Sequence, residues 1–187
     1  KVEAIDSAYA VNFTDKAVDD IPDAYSPLKV TDTTGTNAVK ALKLDSDSEV
    51  IVPLDSSKLT VGKWYSVMVG TANRTDFVAE PTVDSEVKVN LYTKVDGNWV
   101  DSGLGTTVKA SDLFAYSSNN TAGRIQLMTH NKFQLPTAAN NEYALGLKYV
   151  NGDVGMDLTY ITMANIHIPD TCPDLFLYES FDYEVTE

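Results

Sequence analysis

The chain has 187 residues, of which 43% are hydrophobic, and its 27 acidic and 14 basic residues give a net charge of -13. This length allows one domain with a sizeable core, or one domain and a tail. The negative field repels phosphate backbones and anionic lipids, so we expect no nucleic-acid partner. We also expect no membrane insertion, because no apolar run approaches the roughly 20 residues of a membrane helix.

The first strong strand signals lie between residues 49 and 70. The segment EVIVPL (49–54) is rich in β-branched residues, and its Pro53 predicts an edge strand or a strand end, since proline cannot donate to a ladder. The segment KWYSVMVG (63–70) combines aromatic and β-branched residues and predicts another strand. Helical periodicity is hard to find along the chain.

The alternation of apolar and polar residues is clearest in EVKVNLYTKV (86–95). Val87, Val89 and Leu91 point to one side of this strand, which predicts that they face the core. Asp96-Gly97 follows at once and predicts a two-residue hairpin of type I′, a turn that needs positive φ at both central positions.

Three more strand signals follow. The segment RIQLMTH (124–130) alternates, and EYALGLKYV (142–150) places four apolar residues on one face. Asn151-Gly152 predicts a second tight turn before a last long strand at 156–168. Many short strands separated by turn residues predict an all-β antiparallel β-sandwich.

The composition changes at Pro169. We therefore predict a β-sandwich domain over residues 1–168 and a C-terminal extension over 169–187, packed on the domain or on a partner. The extension is rich in acidic and aromatic residues and contains the single cysteine, Cys172. This cysteine has no internal partner, so it is either an inert thiol or an intermolecular bridge.

The order of three segments resembles a known family. These segments are NAVKALKL (37–44), EVIVPLDSSKLTVGKWYSVMVGTA (49–72) and KFQLPTAANNEYALGLKYVNGDVGMDLTYITMANIHI (132–168). Together they are similar to jelly-roll carbohydrate-binding modules of the cellulose- and xylan-binding type, which have a galactose-binding-like β-sandwich. The resemblance covers residues 28–168 and rests on hydrophobic spacing and a Gly-Lys-x-Tyr step.

This resemblance implies a jelly roll and places Tyr65 in the core. Trp64 then points to the opposite face, where it is either covered by a loop or the tail, or part of a sugar platform. The family often holds a structural calcium through an acid in the closing strand, but Thr162 or Ala164 stands there in this chain. Asp157 is a substitute candidate. No cofactor is therefore certain, a structural calcium is one candidate, and the metal ligands are unknown.

The acidic segment DSDSE (45–49) is a second place where oxygen ligands could meet a calcium ion. It lacks the glycine and the ligand spacing of an EF-hand loop, so we expect a solvated loop.

A ligand site is predicted on the outward face of the 86–95 hairpin. The turn pairs Lys94 with Trp99 and puts Tyr92 diagonal to Trp99 on the same face. These three residues form either a cross-strand patch that stabilises the hairpin or a platform on which a sugar stacks. Arg124 and Gln126 alternate on the next strand and would donate to hydroxyl groups if they face the same groove.

Enzyme chemistry has little support, because neither a zinc-binding HExxH nor a nucleophile elbow is present. We therefore expect a non-catalytic carbohydrate-binding module of an exported or cell-surface protein, with a polysaccharide or surface glycan as its partner. The alternative is a structural or adhesive jelly-roll subunit that decorates a virion, filament or cell surface and assembles through the C-terminal extension.

Overall fold

The computed structural model describes residues 7–32, 40–44, 47–73, 85–112, 127–150 and 159–167. Within these ranges the chain forms ten strands: β1 Ser7–Asn12, β2 Val30–Asp32, β3 Lys40–Leu44, β4 Ser48–Pro53, β5 Trp64–Asn73, β6 Glu86–Val95, β7 Asn98–Lys109, β8 Leu127–Gln134, β9 Tyr143–Val150 and β10 Thr159–His167. Three short 3-10 turns lie between them, at Phe13–Asp15, Ser56–Lys58 and Ala139–Asn141.

The strands form two antiparallel sheets. Sheet 1 has the order β2-β3-β10-β5-β8, with β1 paired to the C-terminal half of β10. Sheet 2 has the order β4-β9-β6-β7. From β3 to β6 successive strands alternate between the two sheets, as they do in a jelly roll. The predicted all-β antiparallel sandwich of the jelly-roll type is therefore confirmed.

The hydrophobic core lies between the sheets. Val87, Val89 and Leu91 of β6 are each at most 2% exposed, which confirms the predicted alternation. The predicted apolar face of β9 is confirmed as well, and its four inward-facing residues are Tyr143, Leu145, Leu147 and Tyr149. Sheet 1 faces them with Leu42, Leu44, Val67, Val69 and Ile166. Pro53 ends β4, which is an edge strand of sheet 2 as predicted.

At the start of β5, one of two adjacent aromatic side chains is buried and the other is exposed. Tyr65 is 2% exposed, its ring lies 6.2 Å from that of Phe133, and its hydroxyl accepts the backbone N–H of Thr60. Its predicted core position is confirmed. Trp64 points away from the core and is 55% exposed. No described loop covers Trp64. Its covering by the C-terminal extension lies outside the described residues and stays a prediction.

Residues between β1 and β2 add to the core although they form no strand of their own. Phe13 and Tyr25 are buried and make an edge-to-face contact with ring centroids 5.2 Å apart. The hydroxyl groups of Tyr9 and Tyr25 are hydrogen-bonded to each other. No sequence pattern indicated a role for this segment.

Two predictions about the organisation of the chain lie outside the described residues. The turn at Asn151-Gly152 is one of them. The extension over 169–187, with Cys172, is the other. The division of the chain into 1–168 and 169–187 therefore stays a prediction.

The inward face of β6 carries a testable stability prediction. Leu91→Ala removes a side chain that is 1% exposed, so we expect it to lower the free energy of unfolding by about 2–5 kcal/mol. Val95→Ala, on the same strand but 48% exposed, should change it by less than about 1 kcal/mol. Urea unfolding measures both, and equal losses would contradict the assignment of this face to the core.

Candidate functional site

The turn between β6 and β7 sets the geometry of the site. Asp96 and Gly97 have φ of 49° and 81°, which confirms the predicted positive values at both central positions. Lys94 pairs with Trp99, also as predicted. Because Leu91 faces the core, the side chains of Lys94 and Trp99 lie on the outer face of sheet 2, the side away from the core.

Lys94 stands between an aromatic ring and a carboxylate. Its Nζ lies 5.1 Å from the centroid of the Trp99 ring and 3.8 Å from Oε1 of Glu142. Glu142 directly precedes β9, whose pairing with β6 ends with Thr93 opposite Tyr143. We call Trp99, Lys94 and Glu142 the outer row, because they come from three neighbouring strands or strand ends.

A cavity of about 290 Å³ opens beside the outer row. We call it the cleft; its lining residues are Lys94, Asp96, Gly97, Ala139, Asn140 and Glu142. One wall is the hairpin turn and the other is the 3-10 turn Ala139–Asn141, in which Asn140 has a φ of 56°. The volume is close to the lower end of the roughly 300–1,000 Å³ that ligand clefts occupy.

Tyr92 does not join this surface as an exposed ring. It is 4% exposed, and its hydroxyl donates to Oε2 of Glu49 at 3.2 Å. A Cβ built on Gly146 would lie 2.1 Å from Cε1 of Tyr92, so the ring fills the space that a side chain would take. The prediction that Tyr92 offers an exposed stacking face is therefore wrong. The reason is that the residues of β9 opposite and diagonal to Tyr92 on this face, Ala144 and Gly146, are small, and the ring lies over Gly146.

The surroundings of Tyr92 keep its hydroxyl protonated. Burial, followed by the charges of Glu49 and Asp101, raises the pKa of the Tyr92 phenol well above its usual value. Asp101 is itself held in place, because Nδ2 of Asn90 donates to both of its carboxylate oxygens, at 3.0 and 3.1 Å. The backbone N–H of Gly103 adds a third bond at 2.7 Å. This part of the face is thus a fixed polar network beside the outer row.

The remaining predicted site residues, Arg124 and Gln126, lie outside the described residues, so their roles stay predictions. Conversely, Glu142 and Asn140 line the cleft although the sequence analysis did not select them. The signal for Glu142 was its place directly before the alternating segment that became β9. Without the pairing of β9 with β6, however, nothing linked it to Lys94.

A second concavity of about 500 Å³ lies at the edge of sheet 1, where β2 and β3 meet the start of β4. Its lining mixes Lys29 and Lys43 with Asp19 and Asp47. The Oγ of Ser48 is buried there without a hydrogen-bond partner. Its described lining residues include no aromatic side chain, so they lack the combination of ring and polar groups found at the outer row.

The described residues contain no group of three or more His, Cys, Asp and Glu side chains that could hold a metal ion. Ala164, at one of the two positions where the resemblance places an acid, is 1% exposed in the core. Asp157 and part of the acidic segment 45–49 lie outside the described residues. A structural calcium therefore stays a prediction. Within the described part of the chain, no helix is long and apolar enough to cross a membrane.

The sequence matches no family model and no curated protein. Solved structures do match the fold. The CBM22-1 xylan-binding domain of Paenibacillus barcinonensis Xyn10C aligns with a TM-score of 0.54 at 7% identity, over 90% of this chain and 97% of that domain. The C-terminal family 22 carbohydrate-binding module of Clostridium thermocellum Xyn10B aligns with a TM-score of 0.55 at 14% identity, over 91% of this chain and 99% of that module.

A third structure, the CBM22-2 xylan-binding domain of the Paenibacillus enzyme, aligns with a TM-score of 0.54 at 12% identity, over 87% of this chain and 99% of that domain. At these identities the likeness is one of fold. The chain has the β-sandwich jelly-roll fold of carbohydrate-binding modules, so the resemblance predicted from the sequence is confirmed at the level of fold.

The contact between Tyr92 and Gly146 can be tested by a double-mutant cycle. Gly146→Ala should lower the free energy of unfolding by about 1–3 kcal/mol, because the new methyl group collides with the ring. In a Tyr92→Ala background the same change should cost far less, since the ring is gone. Lys148→Ala, at an exposed position of the same strand, serves as the control and should add independently to Tyr92→Ala. A cost of Gly146→Ala that is unchanged by the loss of Tyr92 would contradict this packing.

Proposed function

We propose that this chain is a non-catalytic carbohydrate-binding module of an extracellular or surface-exposed protein, and that it binds a polysaccharide at the outer row and the cleft. The observation that carries the proposal is the position of Lys94, which contacts the Trp99 ring on one side and Glu142 on the other and lines the cleft together with Glu142. The confirmed fold supports it by analogy, since fold by itself does not determine function.

The chemistry of sugars explains why this arrangement suits them. A pyranose ring presents C–H groups on its faces and hydroxyl groups around its edge. An aromatic side chain offers an apolar surface for the face, and Tyr or Trp serves well because its rigid ring loses little conformational entropy. Nearby carboxylate, ammonium and carboxamide groups then bond the hydroxyl edge, which is the usual division of labour in a ligand cleft.

The groups around the cleft supply both kinds of hydrogen-bonding partner. Glu142 and Asp96 accept from hydroxyl groups, Lys94 donates to them, and the carboxamide of Asn140 does both. The lysine and the glutamate side chains are 32% and 44% exposed, so they are accessible to a ligand. Two of the structural neighbours named above, both domains of the Paenibacillus enzyme, are described as xylan-binding, which makes a β-linked xylan the first polysaccharide to test.

Three parts of the proposal are not supported by the fold alone. They are the extracellular location, the lack of catalysis and the contribution of Arg124 and Gln126 to the binding surface. The alternative role as a decorating or adhesive subunit stays a prediction, because it depends on residues 169–187, which lie outside the described part of the chain.

Affinity electrophoresis in gels that contain soluble xylan tests the proposal. The wild-type protein should be retarded, and Trp99→Ala should weaken binding about tenfold or more, because the stacking surface is lost. Val100→Ala alters the next residue, which is 45% exposed and points to the other side of β7, and it should bind like the wild type.

Trp64→Ala provides a second control, since it removes the exposed ring on the outer face of sheet 1. It should also bind like the wild type. No retardation of the wild-type protein by xylan or by a panel of other polysaccharides would contradict glycan binding. Loss of binding in Trp64→Ala alone would move the site to the opposite sheet.

A further inference from the structure

The ammonium group of Lys94 is already engaged on two sides. It lies over the Trp99 ring, 5.1 Å from the centroid, and it forms an ion pair with Glu142 at 3.8 Å. A cation over an aromatic face within about 6 Å is attracted by the ring, so both neighbours hold the lysine in the outer row. A ligand that reaches Trp99 therefore meets a lysine whose charge is already balanced by a carboxylate.

The electrostatic surroundings of the cleft are negative. Two carboxylates, Asp96 and Glu142, line it together with the single ammonium of Lys94. Asp101 lies next to Trp99 on the same face, because it pairs with Tyr92 one step along the ladder. The whole chain adds a net charge of -13. A uronic acid group that enters the cleft would meet more repulsion than attraction.

We propose that the cleft selects neutral polysaccharides over acidic ones, and that Glu142 sets this preference by pairing with Lys94. The inference rests on the proposed function and specifies its ligand class: a β-linked polysaccharide without uronic acid groups at the bound sugars. Glu142 acts here as a specificity-determining residue, since it balances the charge of Lys94, the one cation among the described residues that line the cleft.

The size of the expected change in affinity follows from the charge that is lost when glutamine replaces Glu142. The substitution keeps the shape of the side chain, takes away one negative charge and leaves Lys94 without its partner. The interaction of two unit charges about 4 Å apart in water corresponds to a factor of about five in affinity. We therefore expect Glu142→Gln to raise the affinity for an acidic polysaccharide relative to a neutral one by about fivefold.

The experiment compares two ligands that share one backbone: an unsubstituted xylan oligosaccharide and the same oligosaccharide with a glucuronic acid branch. Isothermal titration calorimetry of each gives the ratio of the two affinities for wild type, Glu142→Gln and a control. The control is Glu86→Gln, which loses the same charge and also lies near lysines, Lys88 at 3.7 Å and Lys109 at 3.9 Å, but at the other end of β6.

The expected result is a wild-type preference for the neutral ligand that shrinks about fivefold in Glu142→Gln and stays unchanged in Glu86→Gln. The change should also weaken as salt is added, because screening acts on exposed charges. If the wild type binds the neutral ligand and Glu142→Gln leaves the ratio unchanged, the inference is overturned while the proposed function stands. An equal change in Glu86→Gln also overturns it, since total charge would then be the cause. A wild-type protein that binds neither of these ligands nor any other polysaccharide of the panel overturns both proposals.

Discussion

The hairpin register fixed by Asp96 and Gly97 is the constraint on which the site depends. Side chains alternate between the two faces of a strand, so a slip of one residue would exchange every inward and outward position of β7. The observed register puts Lys94 opposite Trp99 on the outer face, while Val87, Val89 and Leu91 of the same strand fill the core. The register of the β6–β7 pair shifts between Leu91 and Tyr92, so the turn fixes the pairing of Tyr92 to Val95 only. The alternation along β6 itself places the core residues on one face and Lys94 on the other.

Much of the fold could be predicted from local patterns. Short stretches of sequence determine the alternation in β6, the turn after it and the apolar face of β9, because strand periodicity and turn chemistry act over a few residues. The inward position of Tyr65 needed the family resemblance. The core role of Phe13 and Tyr25 was missed for a physical reason: they lie in an irregular segment, where no periodicity indicates which side chains are buried.

The site was less predictable, because it depends on which strands are neighbours. Tyr92 has the same outward parity as Lys94, and on a bare hairpin it would be exposed. In the folded chain, β6 lies beside β9, whose outward residues Ala144 and Gly146 leave room for the Tyr92 ring. The same adjacency brings Glu142 to Lys94. Both effects come from contacts about 50 residues apart in the chain, which no local pattern encodes.

The proposed function depends on which of the two outer sheet faces binds the glycan. The chain has two tryptophans, Trp64 and Trp99, and they lie on the outer faces of different sheets. A ¹H–¹⁵N NMR spectrum therefore shows two indole signals, which a Trp64→Phe sample assigns. During titration with a xylan oligosaccharide, we expect the Trp99 signal to shift and the Trp64 signal to stay in place. Movement of the Trp64 signal with a stationary Trp99 signal would contradict this expectation.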